Sequence, residues 1–146
     1  MATPFIGEYS HTLDDKKRLA IPAKFRAALG KRMVITRGLD ACLFIYPETQ
    51  WQELADKLGR LPLGQRDARG FSRLMLAGAM EGELDGLGRI LIHDYLKHYA
   101  SLKRQVVIAG VYSHLEIWDA RTWEAYKKKT EKEVVDMAER LGELGV

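Results

Sequence analysis

A nine-residue block occurs twice in this chain, 71 positions apart. Leu13-Asp14-Asp15-Lys16-Lys17-Arg18-Leu19-Ala20-Ile21 returns as Leu84-Asp85-Gly86-Leu87-Gly88-Arg89-Ile90-Leu91-Ile92, with Leu, Asp, Arg and the final Ile coinciding. Further on the offset becomes 72. Val34-Ile35 then aligns with Val106-Val107, Gly38 with Gly110, Leu43-Phe44-Ile45-Tyr46 with Leu115-Glu116-Ile117-Trp118, and Trp51 with Trp123. The shift falls where a helix-to-strand loop is expected. Matches in this order mark a duplication. A unit of about 45 residues rarely buries enough apolar surface to stand alone. The two copies are therefore expected to fuse into one barrel-like β core with pseudo-two-fold symmetry.

Each copy reads as β-β-α-β-β. Tyr9 to Leu13 is a short strand, Asp14 to Lys17 a turn, and Arg18 to Ile21 the returning strand. Asp85 to Gly88 is the Gly-bearing counterpart of that turn. Pro22 suits a first helical turn, and Ala23 to Leu29 is a short helix ended by Gly30. Met33 to Thr36 and Leu43 to Tyr46 are strands joined by a turn from Gly38 to Cys42. Glu48 opens a helix with Trp51, Leu54, Ala55 and Leu58 on one face. A linker from Gly59 to Gly64 leads to a helix from Asp67 to Ala79, with Phe71, Leu74, Met75 and Ala79 on one side. The second copy follows from Gly82 to Trp118, and a last helix runs from Ala120 to about Leu141. The fold class is α+β. Residues 5–54 form the first repeat, 55–77 a linker with a helix, 78–126 the second repeat, and 127–146 the C-terminal helix.

Charge is unevenly spread. The whole chain of 146 residues carries a net +3, but residues 1–77 carry +5 and residues 78–146 carry −2. Eight basic residues and no acidic one lie between Lys16 and Arg37. Such a cluster repels itself unless an anion neutralises it, and it suggests an anionic partner. The second copy is less basic, with Glu81, Glu83 and Asp94 around Arg89.

Other chemistries find little support. One cysteine, Cys42, excludes an intrachain disulfide and a Cys-rich zinc site, and reads as a small buried residue. Of the histidines only His93 and His98 lie close together, and five residues apart they face differently on a helix, so no metal is expected. There is no phosphate-cradling G-x-x-x-x-G-K-[ST] loop and no G-x-S-x-G elbow. Neither an enzyme, a cofactor nor a small-molecule substrate is expected. The run from Val106 to Tyr112 is far short of the ~20 residues of a membrane helix, and no basic segment before an apolar run opens the chain. A soluble cytosolic protein is expected.

The twice-present Asp-x-x-x-Arg element is the sharpest feature. Asp14 can accept turn amides and also hold the Arg18 guanidinium in a fixed pose, and Asp85 can do the same for Arg89. An arginine oriented in advance loses less entropy on meeting a phosphate or the O6/N7 edge of guanine. The same pair can also do no more than close a hairpin. Lys16 and Lys17 in the turn, with Lys24 and Arg26 in the following helix, favour phosphate contact by the first copy. Equivalent hairpins side by side on one face would make Arg18 and Arg89 a related pair.

These residues resemble the MraZ family. The resemblance rests on Leu13-Asp14, Arg18-Leu19, Ile21-Pro22-Ala23 and Phe25-Arg26, on the second block Leu84 to Ile92, and on Leu43 to Pro47 and Leu115 to Asp119. It extends from about Phe5 to Trp123. It implies tandem, fused relatives of the AbrB-type swapped-hairpin barrel. It further implies a bacterial transcriptional regulator of the division and cell-wall gene cluster, associated with the nucleoid. Such a protein binds repeated elements of double-stranded promoter DNA as a homo-oligomeric ring, with the Asp-x-x-x-Arg motifs as contact elements. The family's usual glycine before the motif arginine is Lys17 here, whereas Gly88 is kept. Either Lys17 adopts a positive φ at some strain or the first turn differs from the second. A different reading of the same basic cluster is a nucleoid-associated or RNA-binding module without sequence choice.

Overall fold

Both predicted turns close through the same bonds. Asp14 N donates to Arg18 O (3.0 Å) and Lys17 N to Asp14 O (3.0 Å), while Asp85 N donates to Arg89 O (2.9 Å) and Gly88 N to Asp85 O (3.0 Å). The computed structural model describes residues 4–146. Around these turns the first copy runs β1 (Phe5–Thr12), β2 (Arg18–Ala20), α1 (Ala23–Leu29), β3 (Arg32–Arg37), β4 (Leu43–Pro47) and α2 (Glu48–Gly59). After α3 (Arg66–Ala77), the second runs β5 (Met80–Glu83), β6 (Arg89–Leu91), α4 (Asp94–Tyr99), β7 (Gln105–Tyr112), β8 (Leu115–Asp119) and α5 (Ala120–Leu141). Helix α2 is continuous across residues 54–55, and α5 across 126–127.

Six strands form one antiparallel sheet in the order β1-β7-β8-β4-β3-β5, and β2 pairs with β6 in a separate ribbon. The hairpin arms are exchanged between copies. Strand β1 of the first copy pairs along its length with β7 of the second, from Phe5 opposite Tyr112 to Thr12 opposite Gln105. Strand β5 of the second copy pairs with β3 of the first. Leu19 lies opposite Ile90 in the ribbon, and Phe44 opposite Glu116 where β4 meets β8. Both are repeat-related pairs, so the pseudo-two-fold axis passes through them. The shared pseudo-two-fold α+β core expected from the duplication, and the swapped hairpins implied by the resemblance, are both observed.

Two apolar layers result. Leu19, Ile21, Phe25, Ile35, Ile45, Ile90, Ile92, Ile108 and Ile117 fill the inner layer between sheet, ribbon and the short helices. Phe44, Tyr46, Trp118 and Cys42 pack on the other side of the sheet with Leu58 and Met75. Strand β4 is therefore buried on both faces, as continuous apolar strands are. Burying each inner isoleucine stabilises the fold by about 1.5–3 kcal/mol.

Several local expectations change. Strand β1 begins at Phe5 rather than Tyr9, because the Phe5 ring closes the core edge-on to Phe25 at 5.7 Å. Pro22 precedes α1 as its cap rather than entering its first turn. On α3 the buried residues are Ala68, Ser72 and Met75, and Phe71 is exposed. A helix lying on a sheet over one narrow row leaves the flank of its apolar stripe in solvent. The alignment of β3 with β7 also moves. Ile35 opposite Ile45 corresponds to Ile108 opposite Ile117, and Met33 and Ile35 share the inner core with Val106 and Ile108. The equivalence runs at an offset of 73, not 72, since a one-residue slip would send every side chain to the wrong face. Gly110 therefore corresponds to Arg37 rather than Gly38, and it crosses Gly7 of β1.

Candidate nucleic-acid interface

The β2–β6 ribbon has a wet face and a dry face. Leu19 and Ile90 point inward and are buried. Ile21 N donates to Gly88 O (2.9 Å) and Ile92 N to Lys17 O (2.8 Å). In an antiparallel ladder the pairs alternate, so Arg18 with Leu91 and Ala20 with Arg89 are the non-hydrogen-bonded pairs, whose side chains approach most closely. All four side chains rise from the outer face. The two arginines stand diagonally across it, related by the pseudo-two-fold axis.

Each arginine is held by its own aspartate in the same way. Asp14 Oδ1 accepts from Lys16 N (2.8 Å) and Arg18 N (2.9 Å), while Oδ2 accepts from Arg18 Nε (3.0 Å). Asp85 Oδ1 accepts from Leu87 N and Arg89 N, both at 2.9 Å, and Oδ2 from Arg89 Nε at 2.9 Å. One carboxylate thus caps the turn and fixes the guanidinium. The Arg18 amide, with help from its side chain, holds the Asp14 carboxyl below its ordinary range, and the Arg89 amide does the same for Asp85. Both clamps therefore stay charged across the physiological range. Arg89 Nη1 also lies 3.9 Å from Asp14 Oδ2, which joins the two clamps across the axis.

Lys17 adopts φ 61°, matching Gly88 at φ 76°. The first turn is therefore the same as the second, with a lysine forced into the left-handed region at a cost of about 1–2 kcal/mol. That side chain reaches across to Asp94 at the start of α4, forming an exposed ion pair. The Lys17 ammonium holds the Asp94 carboxyl below its usual range. At the symmetry-related place Gly88 has no side chain, and Arg26 of α1 fills the space. Arg26 Nε donates to Ile21 O at 2.7 Å, and its guanidinium lies against Gly88. Each turn is thus braced by the helix of the other copy, once by an acid and once by a base.

Of the other basic residues expected at the site, Lys16 is exposed at the first turn. Lys24 is exposed on α1, with Nζ 5.8 Å from the Tyr9 ring and 5.9 Å from the Phe25 ring. Arg18, Arg89, Lys16 and Lys24 present polar atoms outward, whereas Lys17 is occupied by Asp94 and Arg26 by the Ile21 carbonyl. Replacing Asp94 by alanine is expected to free the Lys17 ammonium without unfolding the exposed ribbon. With the duplex DNA that the resemblance implies as partner, the log–log salt dependence of binding should steepen by about one unit, the signature of one more phosphate contact. An unchanged slope in a titration from low to high salt would count against it. The sequence reading set Asp94 beside Arg89 and missed its bracing of Lys17, whereas Arg89 is held by Asp85 and Asp14. The signal for that brace was the repeat alignment itself, in which Asp94 replaces Ala23 just as Gly88 replaces Lys17.

Among the described residues no three or more His, Cys, Asp or Glu side chains gather to hold a metal ion. No helix among them is long and apolar enough to cross a membrane.

Two exchanged hairpins, fused in tandem around a shared β core and bearing a pair of aspartate-held arginines, define a duplicated AbrB-like swapped-hairpin protein. A family model described as "MraZ protein, putative antitoxin-like" matches twice, over residues 5–74 and 75–143. The chain is 45% identical over 141 residues to the transcriptional regulator MraZ of Caldanaerobacter subterraneus subsp. tengcongensis, covering 97% of this chain and 99% of that protein. It is 49% identical over 137 residues to the transcriptional regulator MraZ of Moorella thermoacetica, covering 94% and 96%. The chain belongs to the MraZ family, a family of transcriptional regulators and not of enzymes.

Proposed function

We propose that this protein is a transcriptional regulator that binds duplex DNA with sequence choice through the outer face of the β2–β6 ribbon. One observation carries the reading: the same Asp-held arginine geometry occurs twice on a narrow, solvent-facing two-stranded ribbon. A two-stranded ribbon is a shape the major groove admits. Arg18 and Arg89 would read base edges. Lys16 and Lys24 would contact phosphates and set register, with Lys17 and Arg26 mainly positioning the turns. The family membership supports repeated promoter elements of the division and cell-wall gene cluster as targets, a homo-oligomeric ring as the binding form, and association with the nucleoid. Several subunits on spaced elements would raise the effective concentration of each later contact.

The test is a competition across a salt series between duplexes enriched from a random pool and unselected duplexes. Retention of a preference for the enriched duplexes as salt rises is expected, because base contacts survive screening that weakens phosphate contacts. An equal decline of both would favour a nucleoid or RNA-binding module without sequence choice.

A further inference from the structure

The two ends of the ribbon are not chemically equal. Beside Arg89 stands Ala20, and beside Arg18 stands its repeat counterpart Leu91. Leu91 is 46% exposed on the same outward face as both arginines. The turn before it carries a second exposed leucine, Leu87, where the first copy has Lys16. A scattered surface leucine needs no explanation. This one occupies the non-hydrogen-bonded position opposite a base-reading arginine, where side chains are about 4.5–5.5 Å apart at Cβ. Leu91 cannot be buried by its own chain without leaving the ribbon face. Whatever Arg18 meets, Leu91 meets too.

We propose that Leu91 is a specificity-determining residue that packs on the 5-methyl group of a thymine next to the base read by Arg18. The proposal rests on the duplex-DNA reading above. In the major groove the thymine methyl is the one apolar feature that a side chain can read. A leucine matches it, and the Ala20 methyl beside Arg89 is too short to follow a guanidinium to the same depth. The Arg18 end therefore reads a base pair plus a methyl, and the Arg89 end a base pair alone. A single subunit so built recognises a directional element, not a palindrome, although its fold is pseudo-symmetric.

The test uses duplexes enriched by the wild-type protein and resynthesised with deoxyuridine at one thymine position at a time. Uracil differs from thymine only by the methyl. Wild-type binding is expected to weaken about fourfold at one such position per element, the effect of exposing one methyl group. Leu91→Ala should bind the thymine duplex with a similar loss and become indifferent to uracil there, while Leu91→Met keeps the sensitivity. Circular dichroism melts check the fold, and if Leu91→Ala does not fold, Leu91→Gln is read in the same way. Indifference of the wild type to every uracil, or undiminished sensitivity in the Leu91 variants, would overturn the assignment and leave duplex recognition standing. Failure to enrich any duplex would overturn both.

Discussion

Replacing Arg18 by alanine is expected to weaken binding to an enriched duplex by about 1–3 kcal/mol, roughly five- to 150-fold, while leaving the fold intact. The guanidinium leaves the outer face of the ribbon, and the core beneath it, Leu19 and Ile90, is untouched. Arg89→Ala should cost a similar amount, because its clamp has the same bonds at closely similar lengths. The two losses are not expected to add. Asp14 lies within 3.9 Å of Arg89 as well as holding Arg18, and residues that share a partner couple. Without Arg18, the Asp14 carboxylate turns more of its charge on Arg89 and draws it from the groove. The double variant should therefore lose less than the two single losses combined. Gel shift or anisotropy with the enriched duplex, beside circular dichroism of each variant, decides it. A folded Arg18→Ala protein with undiminished affinity would remove Arg18 from the interface.

The clamps were legible in the sequence because their chemistry is local. An aspartate four residues before an arginine, across a tight turn, caps the turn amides and reaches the guanidinium with no help from the rest of the fold. The repeat carried the next step: two incomplete units must share a core, so their hairpins must meet. What stayed hidden depends on contacts between copies. Lys17 with Asp94, and Arg26 with Gly88, lie far apart in sequence and meet only because the arms are exchanged. In sequence Arg26 is one more positive charge in a basic cluster. In the fold its guanidinium is committed to a carbonyl and a glycine. The frame of β3 against β7 was misread for another reason. Counted between equivalent core positions, the path from Leu96 to Ile108 is two residues longer than that from Phe25 to Ile35, and the path from Ile108 to Ile117 one residue shorter than that from Ile35 to Ile45. These changes nearly cancel, so identities favour an offset of 72 where the inner-face alternation requires 73.

Gly88→Ala puts the cross-copy brace to its severest trial. Two separate costs are expected. The first is conformational: Gly88 sits at φ 76°, where a side chain costs about 1–2 kcal/mol. The second is steric. An added Cβ would stand 2.3 Å from both Cζ and Nε of Arg26, so the guanidinium must move and give up its 2.7 Å bond to the Ile21 carbonyl. A hydrogen bond from a charged donor contributes about 1.5–3 kcal/mol. Together the loss should be roughly 2.5–5 kcal/mol, a fall in melting temperature on the order of 10 °C for a domain of this size. Protein concentration has to be held fixed, because any self-association adds to apparent stability. The mechanism is separable. In an Arg26→Ala background the steric cost vanishes, and Gly88→Ala should then cost only the conformational part. The Lys17 turn supplies the internal control: it already bears a side chain at φ 61°, so Lys17→Gly should relieve strain at the price of the Asp94 contact and change stability little. If Gly88→Ala costs the same with and without Arg26, the arginine does not brace the second turn, and its place is among the phosphate-binding residues.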